Sequence, residues 1–265
     1  MTLVGRLGSA IGFYGWLVPR NIAAALRSPD LAMQVCATAL GQVGGLAALN
    51  ALTHRSGLLG GLDLTTFLLV YGLLVATEGI CSILADGTWQ LRFYITNRDL
   101  DFLLLRPRSV ALQVVFSRTG MHGLGNLLLG TGLVVYSLVT VDVPLSAPRL
   151  VAAAALVGCG IVLRSALYVI GNAAAFWSTA GVGVPMAVHM ITELGKYPQT
   201  LYSPMIRVFT SAVMPVAFIG FYPAMLAVGR APWSVWAPVG VLATVLVIVV
   251  AGAVFGAGIR RYSEN

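Results

Sequence analysis

Charged side chains are scarce in this sequence. Asp, Glu, Lys and Arg make up 9% of 265 residues, against 58% hydrophobic, and the mean hydropathy is +0.89. A soluble domain must cover its surface with polar groups, and this chain has too few to do so. Cysteine is nearly absent as well. Cys36, Cys81 and Cys159 are far apart and show no metal-ligand spacing, which argues against a disulfide framework or a thiolate metal site. His54, His122 and His189 are equally scattered, so no metal centre is expected. No phosphate loop, dinucleotide fingerprint or nucleophile elbow occurs, and no polar segment is long enough for a catalytic domain. The chain is expected to be no enzyme and to carry no cofactor of its own.

What the chain does have is long apolar runs. A bilayer core takes about 20 apolar residues per helix, and that ruler gives six candidate spans: 31–52, 64–85, 119–140, 150–177, 208–228 and 235–258. A β-barrel would need short alternating segments instead. The expected fold is all-α, a polytopic membrane protein with six transmembrane helices. The 30 glycines, as in GQVGG and GLGNLLLG, suit close helix contact in lipid, where packing drives association.

Orientation follows from the basic residues, because Lys and Arg accumulate in cytoplasmic loops. With the N-terminus inside, twelve of them fall on the inner side, three (Arg55, Arg149, Arg230) on the outer side, and Arg164 within a span. This predicts a multi-pass protein of the cell inner (cytoplasmic) membrane with both termini in the cytoplasm. The net charge of +7 is then a topology signal and implies no nucleic acid. Gly, Arg6 and Pro19 interrupt any signal-peptide core in the first 20 residues. Residues 10–28, with Phe13, Tyr14, Trp16, Arg20 and Arg27, read as an interfacial helix. The expected organisation is an N-terminal interfacial segment (1–30), a six-helix domain (31–258) and a cytoplasmic tail (259–265).

Between spans two and three lies TNRDLDFLLLRPRS (96–109), which holds five of the chain's charges: Arg98, Asp99, Asp101, Arg106 and Arg108. Thr96 with Asp99 three residues on is a helix-start pattern. Leu100, Leu103 and Leu104 form an apolar stripe, and Arg106-Pro107 stops the helix, since the residue before proline is pushed out of helical conformation. A cytoplasmic helix over about 97–105 follows, too short to stand alone in water. It must dock on its own bundle, on the membrane or on a soluble partner.

RDLDFLLLRPRSVALQVVFSR (98–118), AFWSTAG (175–181) and KYPQTLYSPMIRVFTSAVMPVAFIGFYPAMLAVG (196–229) resemble segments of the membrane subunits of ATP-binding-cassette transporters of the ABC type-2 exporter superfamily. The resemblance implies a permease coupled to a separate ATPase subunit, which would hold the ATP and magnesium. It further implies a second permease subunit, identical or different, as partner in the bilayer. The short helix becomes a coupling helix, with Arg98, Asp99, Asp101, Leu103, Arg106, Pro107 and Arg108 mapping onto the ATPase contact. The Gly- and Ala-rich spans and an arginine in span four depart from the family pattern.

Two charges fall inside spans, where each would be costly alone. Glu78 lies 14 residues past Leu64 and Arg164 lies 14 past Leu150, so both sit roughly 21 Å from the outer end. Equal depth allows them to pair, and a substrate-facing role stays open beside that. Pro215 and Pro223 interrupt span five, and a kink there would shape a candidate translocation surface of Pro215, Phe218, Phe221 and Tyr222, or serve packing alone. Residues 182–206, with His189, Glu193 and Lys196, read as a helix at the inner interface followed by a turn. The favoured function is the permease of an ATP-driven exporter of hydrophobic or amphipathic compounds. The rival is an ATP-independent secondary transporter, disfavoured because no inverted repeat is visible.

Overall fold

The computed structural model describes residues 3–53, 61–142, 146–178 and 183–264, with side chains for all of these except 3–13 and 48–53. His54, Arg55 and the last three residues of AFWSTAG lie outside them. Regular structure among the described residues is helical throughout. In chain order the α-helices are α1 (Leu3–Ala25), α2 (Leu31–Thr53), α3 (Leu64–Ala85), α4 (Leu91–Thr96), α5 (Leu100–Leu104) and α6 (Val110–Val115), then α7 (Gly123–Thr140), α8 (Ala147–Ala173), α9 (Gly183–Glu193), α10 (Pro204–Val208), α11 (Phe221–Ala227) and α12 (Trp233–Ser263).

Four helical stretches are long and apolar enough to cross a bilayer: Leu64–Thr96, Gly123–Thr140, Ala147–Phe176 and Trp233–Ser263. A fifth exists if Pro204–Val213 and Val216–Ala227, bent by 74°, count as one span. α2 is apolar over Leu31–Ala47, short of a full crossing by its described side chains. Six expected spans thus become four, or five with the bent pair. The N-terminal helix also differs from the expected 10–28: it runs Leu3–Ala25, straight through Pro19.

α3 and α7 make the closest helix pair. A Cβ added at Gly79 would lie 2.5 Å from Leu127 N, one at Gly130 2.3 Å from Ala76 N, and one at Gly123 2.6 Å from Gly79 O. Backbone therefore touches backbone along this seam, as small residues permit in lipid. GLGNLLLG does this work; in GQVGG, Gly41 and Gly44 face open space. α8 lies at the centre, its Leu163 and Leu167 packed with Leu74 of α3 and Val247 of α12.

Span five is a correction in kind. Pro215 does not kink a continuous helix but ends one. Met214 before it adopts φ −118° and ψ 89°, as the pre-proline position favours. The chain makes a 3-10 turn over Val216–Phe218 and re-enters α-helix at Phe221, with Gly220 close enough to α3 that a Cβ would meet Val70 O at 2.9 Å. Pro215 is buried and Phe218 is 2% exposed. Phe218, Tyr222 and Trp236 stack with centroids 4.5 and 4.3 Å apart in succession.

The expected helix over 97–105 is also corrected. Thr96 ends α4, its Oγ1 donating back to Arg92 O at 2.9 Å, a local bond that competes with capping. Arg98 then takes a left-handed turn (φ 61°), and α5 is five residues long. It stops before Pro107, where the sequence places the end. Leu91 and Leu100 are buried with Val110 and Val114 against Ala173, Phe176 and Phe255, which welds this segment to the ends of α8 and α12. α1 braces the same end: Asn21 Nδ2 donates to Phe116 O at 3.1 Å, and Tyr14 meets the Phe116 ring at 5.2 Å.

Candidate functional site

Two regions gather the chain's polar chemistry. The first is a charge network in the interior. Arg164 of α8 is completely buried, and its Nη2 lies 3.5 Å from Glu78 Oε1 of α3 and 3.4 Å from Glu193 Oε1 of α9. The same nitrogen donates to Tyr168 OH at 2.8 Å, one turn further along α8, which is the spacing that puts both on one helix face. Lys196 pairs with Glu193, stands 3.9 Å from Glu78 Oε2 and donates to Gln42 Oε1 of α2 at 3.2 Å. Gln42 in turn accepts from Tyr71 OH at 2.7 Å and donates to Asn126 Oδ1 of α7 at 3.1 Å. Two carboxylates meet two cations, so a network drawn from α2, α3, α7, α8, α9 and the turn after α9 is neutral. That balance permits the burial, because an unpaired ion in hydrocarbon would shed its charge or unfold its surroundings.

Equal depth in the sequence sets Glu78 beside Arg164, but the sequence puts His189, Glu193 and Lys196 only on an interfacial helix and does not single out Tyr168 or Gln42. One signal was available: Lys196 is the single lysine of the chain, placed three residues after one of only three glutamates. Burial works to raise the Glu193 pKa, yet Lys196 and Arg164 beside it hold the carboxyl below the usual glutamate value. Glu78, His189 and Glu193 offer ligand atoms within 4.8 Å of one another. Both carboxylates, however, already face Arg164 and Lys196, so the donor set suits ion pairing better than a metal.

Beside the network opens a polar cavity of about 300 Å³ whose walls include Glu78, Asp86, Trp89, Arg118, His122 and Tyr168. In its wall Arg118 Nε lies 3.4 Å from Asp86 Oδ2. His189, also in the wall, meets Tyr168 OH through Nδ1 at 2.9 Å.

The second region is the charged turn. Arg98, Asp101, Arg106 and Pro107 are exposed, Asp99, Leu103 and Arg108 half-buried. The surface there is not purely charged: Leu105 is 83% exposed and Phe102 66%. Leu103 O accepts from Gln113 Nε2 of α6 at 3.1 Å, which fixes the turn from behind. Among the candidate path residues, Pro215 and Phe218 are buried inside this chain, while Phe221 and Tyr222 keep some surface.

Compared with known proteins, residues 40–265 match the family described as ABC-2 family transporter protein. No curated protein and no solved structure matches the chain.

Proposed function

The chain belongs to the ABC-2 transporter family, and from that premise we propose that it is the permease subunit of an ATP-driven exporter of hydrophobic or amphipathic compounds. It is a multi-pass membrane protein of a transport family. In this reading the crossings number six, with α2 spanning fully and the pair bent by 74° forming one broken span. Both termini lie in the cytoplasm, in the inner membrane, and two permease subunits flank the translocation path. ATP and magnesium bind a separate ATPase subunit.

The family match over most of the chain carries this reading. The charged turn supports it, because its exposed Phe102 and Leu105 sit among Arg98, Asp101 and Arg106, the mixture of apolar anchors and charges that protein contacts use. A push on α5 would reach α8 and α12 through Leu100, Val114, Phe176 and Phe255, which form one packed cluster. Packed clusters transmit displacement because interiors are dense and bistable, not compliant. The exposed side chains act as the handle, and the cluster behind them is the lever arm.

The test is reconstitution of the full chain, purified with its ATPase, in proteoliposomes. Cargo movement should require ATP and stop with a non-hydrolysable analogue. Transport by the chain alone on an ion gradient, without nucleotide, would overturn the reading in favour of a secondary transporter.

A further inference from the structure

The broken span extends further than its bent pair. Its other half is α9, as the register along α8 shows: Glu193 faces Arg164 at 3.4 Å, His189 meets Tyr168 at 2.9 Å, and a Cβ at Gly171 would touch Val188 and Pro185. Four residues along α8 the partner is already Ile219, whose Cα would lie 3.2 Å from a Cβ at Gly160. Ala152, Ala153 and Leu156 then pack with residues 224–228. So α9 and α11 follow α8 antiparallel in one line, while residues 194–218 are spent within about 6 Å of its length.

Both ends of this insertion return to one point. A Cβ at Gly195 would lie 3.2 Å from Val216 O, and one at Gly220 3.1 Å from Leu74 Cβ of α3. Leu74 is 10 residues past Leu64, and Gly160 is 10 past Leu150, roughly 15 Å into a core about 30 Å thick. Residues 197–214 therefore leave the line of the span halfway through the bilayer, and Pro204–Val213 turns 74° from Val216–Ala227. Internal bonds tie the excursion into a hairpin. Tyr202 OH donates to Leu194 O at 2.6 Å, Arg207 Nε to Gln199 O at 3.1 Å and Thr210 Oγ1 to Gln199 Oε1 at 2.7 Å.

The outward face of the hairpin suits neither water nor lipid. Met205 is 80% exposed and Val208 63%, too apolar a ridge to line an aqueous channel. Yet Arg207 is exposed between them, bonded among the described residues only to the carbonyls of Gln199 and Tyr202, and the backbone is extended at Tyr197 and Tyr202. A lone guanidinium and non-helical backbone are costly in hydrocarbon and persist at that depth where protein covers them. A soluble partner cannot reach so far. Thr200 O and Leu201 O accept no hydrogen bond among the described residues, so the face carries open acceptors beside the Arg207 donor. An isologous contact across a two-fold axis uses that pairing, each copy supplying what the other lacks. We infer that the hairpin 197–214 is the surface through which two copies of this chain meet inside the bilayer. That the joined copies form the transport unit rests on the permease reading above.

The experiment co-expresses two differently tagged forms of the full chain in native membranes, with a photo-crosslinking amino acid at position 205 or, as control, at Leu128 of α7, which is 68% exposed. Position 205 should join the two tags, with the linked peptides mapping to 197–214 in the second copy, while position 128 gives lipid adducts alone. Met205→Trp alters a side chain that touches little of its own chain. It should leave Tm unchanged and lower cross-linking from position 208 about tenfold, the scale of overpacking a fitted contact. Lipid adducts alone at 205, capture there of a different polypeptide, or equal joining of the tags from 128, would overturn the inference. Tags joined through 197–214 without ATP-driven transport leave this contact standing and remove the permease reading. Transport without joined tags removes the contact and leaves the permease.

Discussion

α3 presents two faces that hold the molecule together in opposite ways. Gly72 and Gly79 press against α7 so closely that an added Cβ at either lies within 2.9 Å of a neighbouring atom. Tyr71 and Glu78, one residue earlier on each count, enter the polar network through Gln42 and Arg164. Adjacent helix positions diverge by about 100°, so one helix carries a dry seam of shape and a charged seam of partners side by side. The glycine seam depends on what is missing, and any addition breaks it. The charged seam depends on balance, and removals break it unless they are made in matched pairs.

The largest expected effect follows from that balance. Arg164→Met removes the fully buried partner of two half-buried carboxylates and leaves them facing one lysine, and breaking such a pair costs up to about 3–5 kcal/mol. Thermal unfolding of the purified protein should show a large drop in Tm. The double variant Glu78→Gln with Arg164→Met leaves Glu193 and Lys196 paired, and it should be more stable than Arg164→Met alone. A double variant as unstable as the sum of the singles would break the comparison, by showing that the charges act independently.

Next comes the glycine seam. Gly79→Ala drives a methyl into the α7 backbone at 2.5 Å, whereas Gly132→Ala on the same helix pair meets nothing within 4 Å. The first should cost about 1–3 kcal/mol and the second should leave Tm unchanged or slightly raised. Equal effects would mean that α3 and α7 do not touch as described.

Acid separates the two seams further. Glu193 has a folded pKa held below its ordinary value of 4.5, so its contribution is complete above that pH and is lost as pH falls through the lower folded value. Stability should therefore fall below about pH 4.5 in the wild type, and Glu193→Gln should flatten that fall, while Gly79→Ala shifts the whole curve without changing its shape.

The smallest effect lies at the start of α3. Asp63 caps α3 by accepting from Thr66 N at 3.0 Å and pairs with Arg230 at 2.7 Å, both side chains being over 40% exposed. Asp63→Asn keeps a capping oxygen and loses the ion pair. Urea unfolding should register a loss of about 0.2–1 kcal/mol, as for surface pairs generally. A loss matching Arg164→Met would show the network to be nothing special.

Much of this was legible in the sequence, for physical reasons that differ by element. Apolar length identifies α3, α7, α8 and α12 as crossings, because hydrocarbon thickness sets the count of residues. Glu78 and Arg164 stand out as lone charges 14 residues into their spans. Glu193 and Lys196 do not, since they sit in a short, partly apolar segment outside the six spans, whose fold against α8 depends on tertiary contact. The break at Met214–Pro215 is equally hidden: proline announces a lost hydrogen bond, but whether the helix bends or ends depends on Gly220 reaching α3. The Thr96 hydroxyl illustrates a local choice that spacing leaves open, bonding back to Arg92 instead of capping forward. The exposed Phe102 and Leu105 contradict the simple picture of leucines inward and charges outward.

A coupling role requires that the turn at Arg98–Arg108 touch an ATPase from the cytoplasmic side. A photo-crosslinking amino acid at Leu105, which is 83% exposed, tests this directly in native membranes. A coupling turn should give a cross-link to a nucleotide-binding chain, with yield that changes when ATP is added. Failure to capture any nucleotide-binding chain, together with labelling of position 105 from the external side of the membrane, would contradict it.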